Sequence, residues 1–123
     1  MRLKIFVAFI LFLFPFSAYA VEISPQKVYF GDVKATENSI AKEITIKNDE
    51  KISVVAKNIR TSCDCLVFEF KEQKIIKPNE TFKFTFKLNP AKLDKGKFRK
   101  YLFFEIKNSE KPLYVVEIHG NIL

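Results

Sequence analysis

Thr81-Phe82-Lys83-Phe84-Thr85-Phe86-Lys87-Leu88 alternates polar and apolar side chains without a break. Successive residues of a strand point to opposite faces. Phe82, Phe84, Phe86 and Leu88 therefore share one side, and Thr81, Lys83, Thr85 and Lys87 the other. The stretch predicts a half-buried strand, and it sets the reading of everything around it.

The same short alternation recurs on both sides, and no segment after the first twenty residues reads as a long amphipathic helix. Upstream, Ile40, Ile44 and Ile46 share a face before Asn48-Asp49, with Lys42 out of pattern, and Ile52, Val54 and Ala56 do so after it. Leu66, Phe68 and Phe70 mark another strand. A short Ile75-Ile76 segment and the turn Lys77-Pro78-Asn79-Glu80 lead into the opening stretch. Downstream, Phe98, Leu102, Phe104 and Ile106 line a strand that turns at 108–112. Tyr114, Val116, Ile118 and Ile122 form the inner face of the last one. With Val28 to Val33 this makes seven or eight strands at spacings of roughly ten residues, the pattern of an all-β sandwich.

The chain ahead of these strands reads differently. Arg2 and Lys4 precede the apolar run Ile5 to Phe14, and Ala18-Tyr19-Ala20 supplies a small-x-small cleavage pattern. That order is the signature of a secretory signal peptide. The uncharged run from Ile5 to Val21 contains Pro15 and lies at the short limit of the roughly 17–25 residues that span a bilayer. We therefore expect residues 1–20 to be a cleaved signal and 21–123 to be one domain, periplasmic or secreted, with no stable membrane insertion afterwards. N-terminal sequencing of the native protein should begin at Val21; a species retaining Phe6 to Phe16 in the membrane fraction would overturn this.

Export narrows the function classes. The formal charge of +7 falls to +5 once Arg2 and Lys4 leave. Nucleic acid is not a partner in that compartment, so the charge points to a solvated surface or to anionic envelope material. Lys92, Lys95, Lys97, Arg99 and Lys100 are its one local concentration, tempered by Asp94. Nine of the 14 phenylalanines lie beyond the leader. Each buries about 150–250 Å² in a core, so the core does not depend on a disulfide to form.

The only two cysteines stand at Cys63-Asp64-Cys65. In extended chain their Cα atoms would be about 6.6 Å apart at ~3.3 Å per residue, longer than the roughly 5.5–6 Å a disulfide prefers. A bond therefore demands a turn or bulge at Asp64. Closing so small a loop contributes only about 1.6 kcal/mol in the chain-entropy model, so such a bond would be labile rather than a structural staple. Two further readings stand beside it. Residues i and i+2 of a strand point to one face, which allows a two-thiolate grip on Cu(I) or zinc. Alternatively both sulfurs pack as small hydrophobes. On a strand continuous with Leu66, Phe68 and Phe70, the cysteines would take the opposite, outer parity with Val67 and Glu69.

The motifs together resemble a known family. Phe30-Gly31-Asp32-Val33, Ile44-Thr45-Ile46-Lys47-Asn48, Ser62-Cys63-Asp64-Cys65, Ile76-Lys77-Pro78-Asn79-Glu80 and Ile118-His119-Gly120-Asn121-Ile122 follow in the order of the bacterial domain of unknown function 1573. The resemblance implies an exported immunoglobulin-like, Hydin-type sandwich and brings no activity with it. Glu50, Asp64 and Asn79 replace family-typical glycines. Asn and Asp tolerate left-handed backbone, so the turns at 64 and 79 can survive the change.

No hydroxyl–histidine–carboxylate pattern and no glycine-rich phosphate loop is present, and His119, the sole histidine, reads as a surface residue beside Glu117. We expect no enzyme and no required cofactor. In the last two strands the outward parity is also apolar: Tyr101 and Phe103 on one, Leu113 and Val115 on the other. Contiguous exposed apolar surface of this kind marks partner sites, unless a loop or terminal strand covers it. The leading expectation is a non-catalytic binding or assembly module for an envelope protein, acting through a sheet face or an edge strand. The alternative is a thiol-based redox or Cu(I)-handling protein centred on Cys63 and Cys65.

Overall fold

The computed structural model describes residues 20–70 and 72–123, so the expected signal peptide lies outside the described residues except for Ala20. Among the described residues nine strands form: β1 (Val21–Ser24), β2 (Lys27–Val33), β3 (Ile40–Asn48), β4 (Val54–Thr61), β5 (Leu66–Val67), β6 (Gln73–Ile76), β7 (Thr81–Leu88), β8 (Gly96–Lys107) and β9 (Leu113–Ile122). They build two sheets, ordered β1-β3-β7-β5 and β2-β9-β8-β4-β6. The pair β2–β9 is parallel and the others are antiparallel. A 3-10 turn, Pro90–Lys92, precedes β8. Among the described residues no helix is long and apolar enough to cross a membrane.

The count is nine rather than seven or eight because Val21–Ser24 also pairs, running from Val21↔Asn48 to Ser24↔Thr45. Its alternation has only two apolar members, Val21 and Ile23, too short to stand out next to the apolar leader. Both are buried.

The opening stretch behaves as its pattern demands. Phe84, Phe86 and Leu88 are buried while Lys83, Thr85 and Lys87 are exposed; Phe82 is half-buried at the rim. Against them, from the five-stranded sheet, pack Val54, Ala56, Leu102, Phe104, Ile106, Val116 and Ile118, all buried. The Phe84 and Phe104 rings meet edge-on, 5.3 Å between centroids, across the two sheets.

Two sequence expectations need correction. Ile52 does not share a face with Val54 and Ala56; it is exposed in the turn before β4. The interior of that turn belongs to Asn48, a fully buried polar residue. The strand expected over Leu66 to Phe70 ladders only at Leu66↔Leu88 and Val67↔Lys87. Phe68 and Phe70 nevertheless set their rings against Phe84 and Phe82. Alternation in sequence reports which side chains are buried, and here burial continues after backbone pairing has stopped. Of the three residues in family glycine positions, Asn79 takes the left-handed backbone, φ +67°, in the turn after β6.

Candidate functional site

The Cys63–Cys65 element is the crossover from one sheet to the other. β4 belongs to the five-stranded sheet and β5 to the four-stranded one, and the residues between them are pinned at both ends. The Ser62 N–H donates to the Tyr101 carbonyl at 3.1 Å, and the Tyr101 N–H donates to Ser62 Oγ at 3.0 Å. At the other end Asn89 N–H donates to the Cys65 carbonyl at 2.7 Å. Between them Cys63 N–H donates to Thr61 Oγ1 at 3.1 Å, and Leu66 N–H donates to the Cys63 carbonyl at 3.2 Å.

The last of these bonds closes a tight turn around Asp64, which brings the two Cα atoms to 5.1 Å, and the sulfurs are joined as a disulfide. The turn that a bond was expected to require is present. The expected outer parity is not. Cys65 is fully buried and belongs to the core, Leu66 beside it is buried as well, and Cys63 is half-buried. Adjacent buried residues cannot occur on a regular half-exposed strand, where side chains alternate. The turn at Asp64 resets the parity, so a strand could not be extrapolated backwards from Leu66 through the cysteines.

Cys63 opens onto a cleft of about 460 Å³ bordered by Ser62, Asp64 and the segment Lys92 to Lys100. The basic residues concentrated in sequence are thus concentrated in space. Lys92, Lys95, Lys97, Arg99 and Lys100 all line this cleft, opposed by Asp64 and Asp94. Among the described residues, the ion pairs are Lys27–Glu117, Lys47–Asp49, Arg60–Glu105 and the His119–Glu117 contact. None of the five cleft cations is in one.

Tyr101, Phe103, Leu113 and Val115 come together on the outer face of the five-stranded sheet. Phe103 is directly opposite Val115, Tyr101 faces Glu117, and Leu113 faces Glu105. The Tyr101 and Phe103 rings lie 6.3 Å apart, and the Arg60 guanidinium sits over Phe103 at 6.0 Å. Leu113 and Val115 remain 42% and 43% exposed, so no described segment covers them. One edge of the patch is polar: Arg60 pairs with Glu105 at 2.8 Å. Hydrogen bonds from Asn58 and then Arg60 hold the Glu105 carboxyl below its ordinary pKa.

His119 is less exposed than its sequence position suggested. Its ring stacks on Tyr29 at 5.3 Å, and Nε2 is shut off from solvent with Glu117 Oε1 at 3.9 Å, beyond hydrogen-bond reach. Next to it, Gly120 leaves room for the Phe98 ring, which would lie 2.5 Å from any Cβ placed there. That close approach accounts for the glycine in the last motif. Among the described residues no three His, Cys, Asp or Glu side chains are grouped to hold a metal ion.

Two sheets packed face to face, one edged by a short β1 and the other by a parallel β2, define an immunoglobulin-like sandwich. The chain belongs to the family described as Protein of unknown function (DUF1573), which matches residues 21–122. No curated protein matches. Among solved structures the chain is similar to the ASH/PapD-like domain 7 of human CEP192, at 10% identity and TM-score 0.68, covering 90% of this chain and 92% of that one. It is similar to a protein of unknown function from Porphyromonas gingivalis W83, at 13% identity and TM-score 0.71, covering 84% and 46%. It is also similar to the E. coli chaperone DraB, at 5% identity and TM-score 0.62, covering 85% and 55%. The chain thus spans about half the length of the last two. These likenesses establish the fold.

Proposed function

We propose that the protein is a non-catalytic binding or assembly module of the cell envelope, exported as the domain that begins at Val21. It takes its partner, an envelope protein, on the outer face of the five-stranded sheet. The observation that carries this reading is the cross-strand patch on that face, in which Leu113 and Val115 are exposed and Tyr101 and Phe103 half-buried. A small sandwich has ample inward positions for its apolar residues, so apolar groups placed outward on two paired strands call for another surface. DraB, which shares the fold, is a chaperone, and partner binding by a sandwich of this shape is in keeping with that.

Photocrosslinkers placed at Leu113 and Val115 in cells should trap one discrete envelope protein. Tyr101→Ser with Phe103→Ser should abolish that adduct, and the melting temperature should change by no more than a few degrees, as for surface changes worth under about 0.5 kcal/mol each. Persistence of the adduct in the double variant would remove the patch from the interface. A large loss of stability would show that the two rings serve the fold.

A further inference from the structure

Three features meet at the Cys63–Cys65 bond. The first is unequal access: Cys65 is fully buried, whereas Cys63 is half-buried and borders the basic cleft. Of the two, only Cys63 borders a cleft. The second is charge. Five cations, none in an ion pair among the described residues, against Asp64 and Asp94, leave the approach to Cys63 positive. Clefts lined by one sign of charge focus the field and concentrate ligands of the opposite sign. The third is a support that does not need the bond: the Thr61 and Ser62 hydroxyls accept from the Cys63 and Tyr101 N–H groups, and backbone bonds tie Ser62 to Tyr101 and Cys65 to Asn89. The loop can open and close its disulfide without the sheets separating.

We propose that Cys63–Cys65 is a thiol–disulfide exchange site for acidic thiols, entered at Cys63. The thiolate of an acidic dithiol attacks Cys63 Sγ and forms a mixed disulfide. The Cys63–Cys65 bond breaks, and its electron pair leaves on Cys65 Sγ, which takes a proton from water. The partner's second thiolate then attacks its own sulfur in the mixed disulfide and releases Cys63 as thiolate. The partner is oxidised to a disulfide, and the Cys63–Cys65 pair is reduced to two thiols. Attack by a thiolate through a mixed disulfide is the general route of such exchange. This activity is independent of the outer apolar face.

The test uses the oxidised protein and three simple thiols at matched thiolate concentration: mercaptosuccinate, 2-mercaptoethanol and cysteamine. At low ionic strength mercaptosuccinate should reduce the bond faster than cysteamine by about tenfold or more, the low end of the enhancement that charged clefts give. The preference should vanish near 1 M salt, where the screening length is about 3 Å. It should also be lost in a Lys95→Gln, Lys97→Gln, Arg99→Gln variant. Cys65→Ser, given the symmetric disulfide of mercaptosuccinate, should collect a mixed disulfide at Cys63 as one mercaptosuccinate leaves, and Cys63→Ser should leave Cys65 unlabelled until denaturant is added. Cys63→Ser with Cys65→Ser should still fold. Equal rates for the three thiols would overturn the proposal, as would adducts at Cys65 or unfolding on reduction. The salt-dependent part of the wild-type rate ratio decides the matter even if a variant fails to fold, because intrinsic nucleophilicity differs among the thiols at any salt.

Discussion

Phe84→Ala is expected to cost about 3–5 kcal/mol of folding free energy, the range for deleting a buried phenylalanine. Phe84 is 2% exposed and lies where the two sheets meet. Its ring contacts Phe104 edge-on at 5.3 Å, Phe68 at 5.3 Å, Phe70 at 6.3 Å and Phe86 at 6.4 Å. Truncation leaves a cavity walled by four rings, which relax into it only partly, and it removes aromatic pairs worth about 0.5–1.5 kcal/mol each beyond area burial. For a domain of this size the melting temperature should fall by on the order of 15–30 °C. Lys83→Ala, one residue away on the exposed face, should cost under about 0.5 kcal/mol. Urea melts of the two variants check both numbers. Similar losses at 83 and 84 would contradict the inward and outward assignment of β7.

The contrast between those neighbours was legible in the sequence, because a period of two is a direct record of which face is wet. The same record placed β3, β8 and β9, and put Tyr101, Phe103, Leu113 and Val115 on one outer surface without any knowledge of register. It failed where backbone geometry changes within a residue or two. At Asp64 a single turn moves Cys65 into the core, and no alternation survives to announce it. The basic cleft was half legible. Lys92 to Lys100 cluster in the chain, but their meeting with Cys63 depends on Tyr101 of β8 holding Ser62, a tertiary fact. The inward placement of Asn48 was legible too. It stands two residues after Ile46, which itself follows Ile44 by two, so it occupies the next inward position of β3.

Asn48→Ala is expected to cost about 2–4 kcal/mol, because a buried backbone group that loses its partner costs about 1–3 kcal/mol. The Asn48 amide nitrogen donates to the Ile76 carbonyl at 2.8 Å and to the Ile52 carbonyl at 2.9 Å, and its Oδ1 accepts from the Glu50 N–H at 2.7 Å. One side chain thus ties the end of β3 to the turn before β4 and to the end of β6. The Ile76 bond is buried, and water cannot replace it; the other two are nearer the surface and recover part of their loss. Asn48→Asp separates the contributions. It keeps an acceptor for Glu50 but turns a second oxygen toward two carbonyls. The charged form is then disfavoured in the folded state, and the introduced carboxyl has its folded pKa raised above the unfolded value. A group raised in this way weakens stability as pH climbs through its folded pKa and does no such harm below its unfolded pKa, about 3.9 for Asp. The deficit of Asn48→Asp relative to wild type should therefore be largest at neutral pH and shrink on acidification, as the protonated carboxyl regains one O–H donor. The deficit of Asn48→Ala should stay flat over the same range. Parallel pH profiles of melting temperature for the wild type and both variants measure this directly. An Asn48→Asp deficit that does not change with pH would mean that the side chain reaches water and that Asn48 is not the internal tie between β3 and β6.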